Sequence, residues 1–158
     1  MQIHNVLTPK RIAAHMRVSS KKRMLEQICA LLRTDEVGLD ANAAFQSLVD
    51  RERLGTTAVG YGVALPHGRL KGLRTAVGAF ATLADEVECD ALDRRPVKMV
   101  FALLIPENAS PEHLKLLPEL VAVFSNERLR EQLLDADSPN EIYDVLASYN
   151  GIATPNVG

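Results

Sequence analysis

Apolar positions along this chain form helical stripes near both ends and almost unbroken runs in the middle. After Ser19 and Ser20, which can cap a helix, Leu25, Ile28, Cys29 and Leu32 recur at i, i+3, i+4 and i+7. They share one face, and Lys21, Lys22, Arg23 and Glu26 occupy the other. A second helix is predicted from an Asp40 cap to about Arg53, burying Ala41, Phe45, Leu48 and Val49 and stopped by Gly55. Within the glycine-rich stretch that follows, Val63, Ala64 and Leu65 read as a brief buried strand that delivers His67 to a turn. Two longer strands are expected at Ala76 to Leu83 and Val97 to Ile105, with a short edge strand at Glu86 to Cys89. The run VKMVFALLI is apolar on both faces, so it belongs in the middle of a sheet covered by helices on each side.

Helical spacing then returns. Ser110 and Pro111 cap and open a helix with an inward stripe of Leu114, Leu117, Val121 and Phe124, and Pro118 should kink or break it. Ser125 or Asn126 can open another short helix. Ser138, Pro139 and Glu141 give a capping box for a last helix through Ser148, ended by Asn150 and Gly151. With 158 residues and 47% hydrophobic content the expectation is one layered α/β domain over 1–158, its core at about 3–149 and its tail, 150–158, frayed.

Charge and cysteine content narrow the function. Eighteen basic and twenty acidic side chains leave a net charge of -2, which gathers neither nucleic acid nor an anionic membrane. Two cysteines, Cys29 and Cys89, support neither a disulfide framework nor a cysteine metal site. There is no hydrophobic leader and no run of roughly 20 apolar residues, so a cytoplasmic protein with no membrane insertion is expected.

Of four histidines, His4 and His15 read as structural. His67 differs: Pro66 restricts Leu65 to extended backbone, and Gly68 removes bulk beside the ring, leaving one imidazole edge open. Local chemistry is compatible with a reactive or a structural ring. His113 is the third helical residue after Ser110, either an ordinary first-turn polar residue or part of an anion site. Arg51 and Arg53 suit the negative end of the second helix, and Arg51 could equally grip phosphate oxygens in a fork. Thr56 and Thr57 are loop residues with hydroxyl and amide donors. The glycines match neither common phosphate-loop pattern, and no HExxH, paired cysteine–histidine spacing or GxSxG elbow occurs. No metal and no cofactor is expected. Asp85, Glu86, Glu88, Asp90 and Asp93 read as a solvated acidic loop.

Three segments, SKKRMLEQI from Ser20, RERLGTTAVGYGVALPHGRL and PVKMVFALLIPENASPEHLKLL, carry a resemblance that composition does not. The chain resembles the nitrogen-regulatory enzyme IIA proteins of the bacterial phosphotransferase system, within the wider fructose and mannitol type of IIA domain, over roughly Ile3 to Tyr149. The resemblance implies a mixed β-sheet flanked by helices. It implies that His67 accepts a phosphoryl group, through its outer ring nitrogen, from a phosphohistidine on an HPr-like carrier. Arg51, Thr57 and His113 fall on phosphate-binding pocket positions. Such a protein is a phosphohistidine intermediate rather than a stand-alone turnover enzyme, and its further partners would be regulated sensor or transport proteins. Where the family usually reads GIGNG, this chain has Ala58, Val59, Gly60, Tyr61 and Gly62, a change expected to reshape the pocket rim. With no IIB or membrane IIC segment present, a regulator is expected over a sugar-delivering IIA; a binding module without phosphate turnover is the third reading. The sequence leaves the oligomeric state, the regulated targets and the binding-competent phosphorylation state open.

Overall fold

The computed structural model describes residues 3–35 and 39–149. The chain runs β1 (Ile12–Met16), α1 (Lys21–Leu32), α2 (Ala41–Arg53), β2 (Ala58–Gly60), β3 (Val63–Ala64), β4 (His67–Leu70), β5 (Val77–Val87) and β6 (Val97–Pro106). It closes with α3 (Pro111–Leu114), α4 (Leu116–Phe124), α5 (Glu127–Asp135) and α6 (Pro139–Ser148). The sheet order is β1-β5-β6-β3-β2, with β4 also paired to β6. Pairing is mixed: β1 lies parallel to β5, β3 and β4 parallel to β6, and β5 antiparallel to β6.

Every residue of β6 except Lys98 is buried, as a strand apolar on both faces requires. Its alternation divides two cores. Met99, Phe101, Leu103 and Ile105 pack toward α4, α5 and α6, whereas Val100, Ala102 and Leu104 pack toward α1 and α2. Phe80 and Phe124 stack with centroids 5.7 Å apart, and Phe101 closes the group at 6.0 Å from Phe124. Each such buried ring contributes on the order of 2 kcal/mol from burial. The caps form where the sequence places them: Ser20, Asp40, Ser110, Asn126 and Ser138 each accept an amide hydrogen bond from the first helical turn.

Several expectations are corrected. Strand β1 has no counterpart in the sequence reading, because IAAHM is short and lacks clear alternation. The expected strand at Ala76–Leu83 and the start of the expected edge strand, Glu86 and Val87, form one strand, β5, whose register to β6 shifts between Thr82 and Val87, while Glu88 and Cys89 lie beyond it; polar Asp85 and Glu86 reach solvent at that irregularity. In α2 the fully buried residues are Ala44 and Leu48, while Ala41, Phe45 and Val49 are half-buried. The helix lies so close to β4 that its inward line runs through 44, 47, 48 and 51. Of the two outcomes expected at Pro118, a kink or a break, the structure shows the break. Its ring cannot sit against the carbonyl four residues back, at Leu114, so α3 ends there and α4 restarts with Pro118 in its first turn, where no amide proton is needed. The restart changes the phase: Leu116, Leu120, Val123 and Phe124 point inward, and Leu114 and Val121 are exposed. The proposed helix stop at Asn150 and Gly151 and the frayed tail lie outside the described residues.

The acidic loop also has structure. Gly60, Tyr61, Gly62 and Val63 make a two-residue hairpin turn with φ of 61° at Tyr61 and 77° at Gly62. Asp93 braces it, accepting from the Tyr61 amide at 2.9 Å and the Arg95 amide at 3.1 Å. The Tyr61 ring lies 4.7 Å from the Arg130 guanidinium of α5.

A Cβ at Gly68 would sit 1.9 Å from Ser47 Oγ and 3.1 Å from the Ser47 carbonyl carbon, so only glycine lets α2 approach β4. Gly68→Ala is therefore expected to lower stability by about 1–3 kcal/mol in urea unfolding, through forced separation of the two elements.

Candidate functional site

Strands β3 and β4 run along the same side of β6 and would be one strand but for Leu65 and Pro66 between them. Pro66 has no amide proton, though its carbonyl accepts from Leu103 N at 2.9 Å. Pairing resumes at His67, which is thus the first residue of a strand rather than part of a turn. Above it opens a cleft of about 380 Å³, where α2 of one helical layer meets α3 and α4 of the other. His67, Arg51 and His113 all line it. Leu103 and Ile105 of β6 also line it, as do the apolar Leu54, Leu114 and Leu117. A larger groove of about 730 Å³ between α5 and α6 contains none of the sequence-predicted residues.

His67 is half-buried, with Nδ1 2.8 Å from the Leu65 carbonyl. A carbonyl only accepts, so Nδ1 carries the proton and Nε2 of the neutral ring holds the free lone pair. Burial pushes the imidazole below its ordinary range, and the Arg51 cation adds to that, outweighing the opposing Leu65 hydrogen bond and Glu52 charge. The ring is therefore neutral at pH 7. His113 has the complementary arrangement. Its Nδ1 accepts from Ser110 N at 3.3 Å while its own amide donates to Ser110 Oγ at 3.2 Å, a reciprocal cap that leaves Nε2 as the protonated, donating nitrogen of the neutral ring.

Arg51 is held at the end of α2 by a 2.9 Å hydrogen bond from Nη1 to the Gly55 carbonyl. Its neighbour Arg53 is exposed, 3.8 Å from Asp50. Thr57 does not line the cleft with the other three. It is buried, and its amide and hydroxyl both donate to the Glu52 carboxylate. Thr56 donates its hydroxyl to the Cys89 carbonyl. Tyr61 likewise lies at the hairpin turn and not among the cleft residues. His15 pairs with Asp137 at 3.0 Å, joining β1 to the start of α6, and His4 is exposed.

Sequence reasoning missed Glu52, Ser47 and Leu54. Glu52 stands between two arginines at a helix end and reads as surface charge, yet its side chain is 8% exposed and lies 2.7 Å from Lys21 Nζ. Burial raises its carboxyl, but Lys21 and the two Thr57 donors more than offset this and hold it below the ordinary carboxylate range. Leu54 is 85% exposed beside the cleft, a signal visible only once α2 is placed.

Comparison with known proteins follows the same pattern. The family model for the phosphoenolpyruvate-dependent sugar phosphotransferase system, EIIA 2, matches residues 5–149. A nitrogen regulatory protein of Pseudomonas aeruginosa is 38% identical over 146 residues, covering 92% of this chain and 95% of that protein. The crystal structure of nitrogen regulatory protein IIA-Ntr from Neisseria meningitidis is 42% identical with a TM-score of 0.84, covering 91% of this chain and 98% of that one. The mannitol enzyme IIA of Escherichia coli, solved in complex with phosphorylated mannitol enzyme IIB, shares the fold at 20% identity and a TM-score of 0.75, over 90% of this chain and 98% of that one.

The charge arrangement sets a titration. The His67 Cε1 proton is expected to titrate by NMR with a midpoint below about 6.5, the ordinary imidazole value. Removing the neighbouring cation in Arg51→Met should move that midpoint upward, because the imidazolium then loses a repulsive partner; an unmoved midpoint would place the guanidinium away from the ring.

Proposed function

The chain belongs to the EIIA 2 family of the phosphoenolpyruvate-dependent sugar phosphotransferase system, and on that premise we propose that it is a regulatory phosphocarrier charged on His67 by an HPr-like phosphohistidine. The observation that carries this reading is the pair of rings in one cleft: His67 with a free Nε2 lone pair and His113 with a donating Nε2–H, beside the Arg51 guanidinium. In the transfer, the Nε2 lone pair attacks phosphorus as the bond to the donor nitrogen breaks, and the electron pair returns to the donor ring. Such a step needs in-line positioning and charge compensation more than covalent assistance. Arg51 supplies the fixed positive charge, and His113 a hydrogen bond from Nε2–H. His67 keeps its Nδ1 proton throughout, so the positive ring formed on phosphorylation remains bonded to the Leu65 carbonyl.

One feature supports a protein as the donor: the cleft carries apolar Leu54, Leu114 and Leu117, more than a lone phosphate requires. The regulatory half of the reading is supported by the names of the Pseudomonas aeruginosa relative at 38% identity and the Neisseria meningitidis structure at 42%, both nitrogen regulatory proteins, although a relative at 37% over 108 residues is named a fructose-specific EIIA component. Its outputs would be sensor or transport proteins that distinguish the phosphorylated from the unphosphorylated surface. Transfer onward to a separate IIB domain is the second reading, favoured by the mannitol relative's complex. No helix among the described residues is long and apolar enough to cross a membrane.

Incubation with phosphoenolpyruvate, the first enzyme of the system and an HPr-like carrier is expected to place an acid-labile label on the wild-type chain and none on His67→Ala. Arg51→Ala should slow labelling by about 10²-fold with the fold intact by circular dichroism. Leu54→Asp should raise the carrier concentration needed for half-maximal labelling. An unlabelled wild type in the presence of charged carrier would overturn the phosphocarrier reading, and transfer of the label to IIB domains would select the sugar-delivering one.

A further inference from the structure

We propose that Glu52 is a positioning residue that holds the His67 imidazole in its reactive orientation and tautomer, through a hydrogen-bonded chain from Glu52 to Thr57, Leu65 and His67. This rests on the reading of His67 Nε2 as the phosphoryl acceptor.

A carboxylate with 8% of its side chain exposed is costly unless every oxygen is engaged. Here both are. Oε2 lies 2.7 Å from Lys21 Nζ and accepts from Thr57 N at 3.0 Å, and Oε1 accepts from the Thr57 hydroxyl. Thr57 is thereby fixed at two of its polar groups, and the third, its carbonyl, accepts from Leu65 N at 2.9 Å. The Leu65 carbonyl in turn accepts from His67 Nδ1 at 2.8 Å. This accounts for Thr57, which the resemblance places among phosphate-binding residues and the structure places behind the cleft: it acts through main chain and carboxylate rather than by touching a ligand.

The chain matters because Pro66 interrupts the ladder at this point. The Leu65–Pro66 peptide lies between two anchored neighbours, the Pro66 carbonyl accepting from Leu103 N on one side and Leu65 N donating to the Thr57 carbonyl on the other. Without Glu52 the second anchor loosens, the Leu65 carbonyl can turn, and Nδ1 loses the acceptor that keeps its proton there. The ring then populates the tautomer with its proton on Nε2, where the lone pair is needed. The tautomer of a working imidazole is set in this way by the partner of its other nitrogen. The negative charge of Glu52 also favours the positive ring produced by transfer. Lys21, from the first turn of α1, is the counter-ion that lets the carboxylate stay charged while buried.

The test is NMR of ¹⁵N-histidine-labelled full chain, reading which His67 nitrogen is protonated at a pH where the ring is neutral, together with the rate of label uptake from charged carrier. Wild type is expected to show Nδ1–H. Glu52→Gln should shift population to Nε2–H and slow uptake by about 10- to 100-fold. Thr57→Val, which keeps the amide bond to Glu52 and loses the hydroxyl, should give a smaller change in the same direction. Should Glu52→Gln fail to fold, Lys21→Met and Thr57→Val carry the measurement. Folded variants with the wild-type tautomer overturn the proposal, whether or not uptake slows. Because the tautomer is read without any donor, a wild type that takes no label would sink the acceptor reading while leaving the tautomer result standing.

Discussion

Strand β6 has no polar face, and that single constraint organises the molecule. A strand of ten residues that is apolar on both sides apart from Lys98 has to be covered on both sides, so one helical layer cannot suffice. Alternate residues of β6 then hand their side chains to different partners: the phenylalanine cluster with α4, α5 and α6 on one face, and smaller residues under α1 and α2 on the other. The asymmetry of size is consistent with the close seating of α2, whose Ser47 rests on the bare backbone of Gly68.

The candidate site is a cleft lined by both layers. Along the outer half of β6 the neighbouring strand is broken at Leu65 and Pro66 and resumes as β4. Over that stretch the end of α2 brings Arg51 from one layer and the start of α3 brings His113 from the other. Neither residue is near His67 in sequence. Their convergence is a product of the layered arrangement, and the break before His67 is what separates the imidazole from the ordinary inward and outward rhythm of a strand. The helix break before Pro118 contributes as well, since it leaves Leu114 exposed beside the cleft while Leu117, still packed against the core, lines the cleft with it.

Much of this frame was legible from patterning alone. The five capping residues, the central strand and the two helical ends follow from local rules that depend on a few neighbouring side chains. What was not legible depends on contacts across the chain. Strand β1 exists because β5 offers it an edge, not because IAAHM insists on extension. The inward line of α2 was read correctly at Leu48 but missed Ala44, because Phe45 and Val49 look like stronger core residues, and only the bare surface of β4 decides between them. The stretch LLPELVAVF is apolar nearly all round, so its phase could not be fixed without the break at Lys115. In the site, local chemistry left His67, Arg51 and His113 open between ordinary and functional roles, and it was the family resemblance that singled them out. Glu52 was not, because a glutamate flanked by two arginines at a helix end carries no local sign of burial.

The proton-bearing nitrogen of His67 is tied to its own main chain, and the opposite nitrogen is the one turned to the cleft. A group added there would disturb neither the Leu65 anchor nor the pairing of β4 with β6. A reader of the modified protein would then meet an unchanged scaffold bearing extra bulk and a dianion, so discrimination would have to come from charge matching at the rim rather than from a remodelled backbone.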